Sequence, residues 1–324
     1  MNQPQLRYTI LGSGAVGGLY GGRLAHAGFP VSFLARSDAG ALRQAGLQVE
    51  TPTGAFHVAR PIVATNPLEL APADVAVVTW KTVGNSQLAE ILPRVLKPNG
   101  LALVLQNGLD VEADAAAILG DERVLGGCCF LCCNRTAPGK IVHLDFGRIA
   151  MATYSVPGTR ASHRQRAILD QITSDFVAAG IDATMHDDLR WVRWRKLMWN
   201  IPFNGLSVAL NASTDEIMKD AASEALATTL CEEVRQAAGA CGVQLDPSLV
   251  PQLMDETRRM VPYDSSMRLD YLHGRPMEVE TILGRPVRAA QQAGFAAPRI
   301  EHLYLTMAYL DRHRRSTQPS SASD

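Results

Sequence analysis

The sequence contains no apolar run approaching the roughly 18 residues that a membrane span requires, so a membrane partner is not expected. It also lacks an excess of charge of either sign: 31 Lys and Arg stand against 32 Asp and Glu, for a formal net charge of -1. Nucleic acids attract proteins through a field of one sign, so no nucleic-acid partner is expected either. Cysteine is sparse, six residues in 324. Four of them crowd into Gly127-Cys128-Cys129-Phe130-Leu131-Cys132-Cys133. Cys129-x-x-Cys132 has zinc-like spacing, yet no second Cys/His pair stands at the customary distance. Adjacent cysteines in a strand also point to opposite faces. No metal site is expected. The run reads as a buried strand in a reducing compartment, with cysteine serving as a small hydrophobe. Residues 1–7 run directly into the first apolar segment and leave no space for a signal peptide, so the expected location is cytoplasmic.

What is present is an ordinary globular balance, 47% hydrophobic and 19% charged, in a chain long enough for two domains. Near the start, Tyr8-Thr9-Ile10-Leu11 leads into Gly12-Ser13-Gly14-Ala15-Val16-Gly17, and a helix is expected up to about Gly28. Strand, Gly-x-Gly-x-x-Gly turn and helix form the context that dinucleotide binding needs. Gly12 permits the tight turn, Gly14 admits a pyrophosphate to the backbone, and Gly17 lets helix and strand pack closely. The helix N-terminus then offers free N–H groups to the phosphates. The next strand ends at Arg36, followed by Ser37. An NAD site usually carries an acidic acceptor there for the ribose 2′-hydroxyl, whereas a guanidinium suits a 2′-phosphate. NADP(H) is therefore favoured over NAD(H).

Further along, a helix over 39–45, a hairpin within 47–64 turning at Thr53-Gly54, and a buried strand over 75–80 with Lys81 at its end are expected. A helix over 88–96 and a turn at Pro98-Asn99-Gly100 follow. A strand over 101–106 then ends at Asn107-Gly108, with another over 124–133. One or two strands over 141–154 and a helix over 160–179 close this half. The glycine turn, Arg36, Lys81 and Asn107 all fall at strand C-termini, the edge of an open α/β sheet where ligands bind. Beyond about residue 187 the pattern turns helical, over 189–210, 214–240, 247–259, 274–293 and 300–312. The expected organisation is a dinucleotide-binding domain over 1–186, a helical domain over 187–315, and a disordered polar tail over 316–324.

Lys196, Asn200 and Asn204 are spaced i, i+4, i+8 and share one broad helix face. A lysine and two amides among Trp and Met residues suit a site for a small carbonyl compound. They equally suit a polar stripe facing solvent, and spacing alone leaves both readings open. Pro202 removes a backbone bond under either.

The glycine motif, Arg36, Lys81, Asn107-Gly108, the Lys196/Asn200/Asn204 helix, and Ser265-Ser266-Met267 followed eleven residues later by Glu278 occur in one order. Together, over about residues 6–312, they resemble the ketopantoate reductase (2-dehydropantoate 2-reductase) family. The resemblance implies an α/β Rossmann domain followed by an all-helical C-terminal domain of the 6-phosphogluconate-dehydrogenase type. It implies NADPH-dependent reduction of a 2-oxo acid, most directly ketopantoate in pantothenate biosynthesis, and relatives that are commonly dimers. By the same resemblance, Lys196 is the general acid and Glu278 holds Lys196 or the substrate. Ser266 binds the substrate carboxylate, and Asn200 and Asn204 its hydroxyl and neighbouring atoms. Asn107 lies between nicotinamide and substrate, and Lys81 near the cofactor or supporting the cleft. Without the resemblance, Glu278 and Ser266 read as surface-helix residues.

The chain departs from the family pattern on the substrate side. It has Tyr263-Asp264 before the serine pair where an Asn is common, and Gly205 where Pro often follows the second helix asparagine. It has Thr214 where another Asn is expected, with Asn211 nearby. These departures keep two alternatives in view: a reductase of another small oxo acid or imine, and a non-catalytic NADP(H)-binding sensor.

Overall fold

The computed structural model describes residues 5–156 and 161–317. They form two compact units. Of the described residues, one contains those up to Gln106 and those within 111–192, and the other contains Asn107–Asp110 and those from Arg193 to Thr317.

The first unit is built on ten strands: β1 (Tyr8–Leu11), β2 (Val31–Leu34), β3 (Leu47–Thr51), β4 (Gly54–Val58), β5 (Ile62–Ala64), β6 (Ala73–Val78), β7 (Leu96–Val104), β8 (Val124–Ala137), β9 (Lys140–Thr153) and β10 (Ala183–Met185). They join one sheet in the order β4-β3-β9-β8-β7-β6-β1-β2-β5, with β10 beside β9. The central strands β8-β7-β6-β1-β2-β5 are parallel, while β8–β9 and β3–β4 are antiparallel. The helices are α1 (Ala15–His26), α2 (Ala39–Ala45), α3 (Leu88–Val95), α4 (Ala113–Leu119) and α5 (His163–Ala178).

Side-chain alternation along the strands sends residues to two cores. Ile10, Val75 and Val77 pack with Leu19 and Leu24 of α1 and with Phe176 of α5. Leu11, Ala76 and Val78 pack with Leu88 and Leu92 of α3 and with Ala115 of α4. A sheet covered on both faces explains the unbroken apolar run Val75-Ala76-Val77-Val78 of β6.

The expected hairpin forms with Thr51 opposite Gly54, but its last segment separates as β5 and extends the sheet beyond β2. Pro98-Asn99-Gly100 does not delimit a strand. It lies inside β7, at a register shift opposite Ala73 and Val75. The short strand β10 has only three residues and carried no usable alternation.

The second unit is helical: α6 (Leu189–Ala209, its first turn counted with the other unit), α7 (Thr214–Lys219), α8 (Ala221–Ala240), α9 (Leu249–Arg259), α10 (Ser266–Leu272), a π-helical turn (Glu280–Gly284), α11 (Arg285–Gln292) and α12 (Pro298–Thr317). The single helix expected over 214–240 is broken at Asp220, whose extended backbone lets its carboxylate accept from Ser223 N–H and cap α8. The helix expected over 274–293 is also corrected. Residues 275–278 are irregular, and helical structure begins only at Val279. The surface-helix reading of Ser266 matches α10, whose bounds were not anticipated because seven residues are too few for a periodicity to show. Ser316 and Thr317 close α12 rather than opening a tail, and the remainder of the expected tail lies outside the described residues. Among the described residues, no helix is long and apolar enough to cross a membrane.

Helix α6 holds Pro202 without losing the carbonyl that proline orphans. An N–H at position 202 would bond the Met198 carbonyl one turn back. That oxygen instead accepts from the Cys231 thiol of α8 at 3.2 Å. Burial pushes the thiol pKa up to about 12, so it stays protonated and available as a donor. We expect Cys231→Ala to lower stability in urea unfolding by about 1–3 kcal/mol, the usual cost of an orphaned buried acceptor. Cys231→Ser should retain most of the stability. The loss should shrink in a Pro202→Ala background, where the backbone N–H returns.

Candidate active site

Residues of the glycine turn are held from several sides in the first unit. Gly12 has φ +103° and donates its N–H to the Leu34 carbonyl at 3.1 Å. A Cβ at Gly12 would sit 3.1 Å from Trp80 backbone, and one at Gly17 only 2.0 Å from the Gly12 carbonyl oxygen. No heavy atom lies within 4 Å of a Cβ placed on Gly14, so the space beside that backbone is open. Gly14 caps α1 with no side-chain hydrogen bond, and the first turn has no acidic residue. The N–H groups there suit an anion. Ser13 is buried, and Ala15 and Val16 are half-buried.

Thr79, just past β6, went unnoticed in the sequence. Its hydroxyl meets the Leu11 carbonyl at 3.0 Å and the Gly12 carbonyl at 2.9 Å, which fixes the turn. A hydroxyl closing the run Val75-Ala76-Val77-Val78 was the available signal.

Arg36 lies two residues past β2, exposed, and its side chain has no hydrogen-bond or ion-pair partner among the described residues. Lys81 is half-buried beyond β6. Beside it, Gln106 donates to the Trp80 carbonyl at 2.9 Å and to Asn85 Oδ1 at 2.7 Å. Asn85 in turn donates to Asp114 at 2.7 Å. This amide network, also missed, ties together the ends of β6 and β7.

In the second unit, burial bears on the solvent-facing reading of the Lys196 face. Asn200 and Asn204 are each 2% exposed, so this is not a solvated stripe. Asn200 Nδ2 donates to Asn107 Oδ1 at 3.4 Å. Asn204 Oδ1 is buried and accepts from no described residue. Lys196 is half-buried, with Nζ 5.5 Å from the centroid of the Trp199 ring, a cation–π contact. Glu278 is 9% exposed and immediately precedes the helical turn at Val279.

The 107–110 segment is fastened to this unit. Gly108 has φ +118°, and a Cβ there would sit 2.6 Å from Thr281. Leu109 N–H donates to the Thr281 carbonyl at 2.9 Å, and Arg285 donates to the Asp110 carbonyl at 2.6 Å. Asn107 is thereby brought to Asn200, with Thr281 following Glu278 by three residues.

The serine pair divides its roles. Ser266 is exposed at the start of α10, and Ser265 is fully buried. Ser265 Oγ accepts from Arg268 N–H at 3.1 Å and lies 2.6 Å from Ser207 Oγ, which donates to the Asn204 carbonyl at 3.1 Å. With its one proton on that carbonyl, Ser207 accepts from Ser265. The hydroxyl chain runs in one direction and joins the α10 N-terminus to α6. Thr214 gives both its N–H and its hydroxyl to the Tyr263 carbonyl, at 3.1 and 3.0 Å. Its side chain is therefore engaged within the fold.

Similarity to known proteins follows the same two parts of the chain. The family model Ketopantoate reductase PanE/ApbA matches residues 8–155, and its C-terminal counterpart matches residues 188–309. A 2-dehydropantoate 2-reductase of Nostoc sp. is 42% identical over 312 residues, 96% of this chain and 97% of that one. The chain belongs to the ketopantoate reductase family. Crystal structures of 2-dehydropantoate 2-reductases from Geobacter metallireducens and Methylococcus capsulatus are 34% and 31% identical, with TM-scores of 0.88 and 0.84. The first covers 94% of this chain and 99% of its own length, the second 98% and 100%. The family comprises oxidoreductases that reduce ketopantoate with NADPH.

All six cysteines of this family member are thiols and not disulfides. Cys128, Cys129, Cys132 and Cys133 are buried in β8, with Cys129 and Cys133 in the sheet core, and burial pushes the Cys133 thiol up to about 12. Thiolate is the reactive form. Titration of the native protein with a disulfide reagent near pH 8 should therefore detect no more than the partly exposed Cys241. All six should react after unfolding.

Proposed function

We propose that this chain reduces 2-dehydropantoate to pantoate with NADPH, in pantothenate synthesis. The carrying observation is the face of α6 on which Lys196 stands with two buried amides, one joined to Asn107 and one with an unmet carbonyl oxygen. Buried acceptors without partners are costly, and Asn204 Oδ1 suits a donor such as the hydroxyl of ketopantoate. The cofactor residues also fit: open backbone at Gly14, an acid-free α1 N-terminus, and Arg36 free for a 2′-phosphate.

NADPH supplies a hydride to the ketone carbon when bound. Lys196 donates a proton to the oxygen on which negative charge develops, and its own charge stabilises that oxygen. Glu278 positions Lys196 or the substrate, and Ser266 binds the carboxylate. Asn200 and Asn204 hold the hydroxyl end, and Asn107, joined to Asn200, would serve nicotinamide and substrate. The residues Gly12, Ser13, Gly14, Ala15, Val16 and Gly17 cradle the pyrophosphate, with Lys81 close to the cofactor. On this reading residues 1–186 serve the cofactor and 187–315 the substrate. The enzyme is cytoplasmic, acts on a small molecule without nucleic-acid or membrane partners, and assembles as a homodimer. The Thr214 hydroxyl, spent on Tyr263, favours testing other small oxo acids as well.

The test is NADPH oxidation, followed by absorbance, across a panel of 2-oxo acids. Ketopantoate should turn over fastest, and Lys196→Ala should lower kcat by about 10²–10⁴-fold. NADPH binding without oxidation by any acid would overturn the enzymatic reading and leave a sensor. Arg36→Ala should weaken NADPH about tenfold or more, the scale of a lost charged hydrogen bond, and leave NADH nearly unchanged. A loss shared equally by both cofactors would remove the role given to Arg36.

A further inference from the structure

We propose that Arg135, anchored by Asp38, is a second cationic ligand for the 2′-phosphate of the cofactor, acting beside Arg36. This rests on the reading of the first unit as an NADPH site.

Asp38 follows Arg36 by two residues and is 3% exposed. Its Oδ1 accepts from Arg135 Nη1 and from the Ser37 hydroxyl, the latter at 3.0 Å. The Arg135 side chain is 33% exposed, and its remaining N–H groups have no partner among the described residues. A guanidinium carries five N–H donors in a rigid fork. Fixing one of them on a buried carboxylate holds the group in place and leaves the others available, so less freedom is lost when an anion arrives.

Strand geometry places Arg135 on the cofactor side. Cys133 and Arg135 lie two residues apart with no register shift between them, and so point to the same face of β8. Cys133 Sγ lies 3.7 Å from the Ala15 carbonyl, in the first turn of α1. Ile141, opposite Arg135 in the ladder, lies 2.7 Å from where a Gly18 Cβ would be. The end of the β8–β9 ribbon therefore covers the start of α1, and Asp38 draws the Arg135 guanidinium toward the segment that carries Arg36 and Ser37. Two arginines and one buried aspartate leave a net positive charge there, which suits a phosphate and gives nothing to a bare 2′-hydroxyl.

The experiment compares binding of adenosine 2′,5′-bisphosphate and 5′-AMP, which differ only in the 2′-phosphate, to the full-length protein by calorimetry. Arg135→Met should weaken the bisphosphate about tenfold and leave 5′-AMP unchanged. Equal weakening of both, or no change in either, would overturn the proposal. Asp38→Asn should also weaken the bisphosphate, because the guanidinium loses its anchor. Tighter binding would show that Asp38 only masks charge, and would overturn the anchoring. If the wild-type protein binds neither nucleotide, the cofactor reading itself fails and this proposal fails with it. Wild-type binding that is indifferent to position 135 overturns this proposal alone.

Discussion

The close approach of α1 to the strand ends is the constraint on which the first unit depends. A side chain at Gly17 would collide with the Gly12 carbonyl, one at Gly18 with Ile141, and one at Gly21 with Ile10 and Phe33. With no Cβ on that face, the helix settles onto the sheet, and its N-terminus falls at the C-terminal edge of β1. The Thr79 hydroxyl, shared between two carbonyls of the turn, holds this arrangement from the neighbouring strand. One steric condition thus sets both the packing of the core and the position of the free N–H groups.

The second unit solves a different problem, that of placing polar groups where water is scarce. Burying an amide without a partner is unfavourable, so each one kept on the inner face of α6 needs a reason. Asn200 has Asn107, which the loop supplies because Gly108 and Leu109 lie against Thr281. The Asn204 backbone carbonyl has Ser207, while its side-chain oxygen has no described donor. The buried chain of Ser207 and Ser265 then spans from α6 to the cap of α10, the helix that begins with Ser266. Supporting hydroxyls of this kind hold a site more firmly than surface loops do.

Parts of this were legible in the sequence because they rest on local chemistry. The glycine turn, a hairpin expected to turn at Thr53-Gly54 and turning one residue earlier, α2 closing on Gly46, and the start of α6 follow from strand runs, turn residues and caps. The breaks were harder to read. Asp220 interrupts a continuous helical pattern only because its carboxylate can cap the next helix. The π-helical turn after Glu278 has no periodic signature. The antiparallel β8–β9 ribbon depends on pairing between distant segments. The candidate site residues could be named from the sequence by type alone, but the contacts around them could not. Thr79, Gln106, Ser207, Thr281 and Arg285 matter through contacts between residues 21 to 175 positions apart, which no spacing rule encodes.

The same long-range contacts explain what the departures from the family pattern mean. Pro202 frees the Met198 carbonyl, and Cys231 of α8 satisfies it. Gly205 leaves room that the Leu303 side chain fills, since a Cβ there would lie 2.4 Å from it. Thr214 turns its hydroxyl to the backbone carbonyl of Tyr263, which accounts for Thr214. Each change is matched by a partner within the helical unit. Changes absorbed in this way alter how α6 is packed and capped, while Lys196, Asn200 and Asn204 keep their common face. The polar groups of that face are therefore separable from the packing behind it, and the Asn204 side-chain oxygen stays a buried acceptor without a described donor.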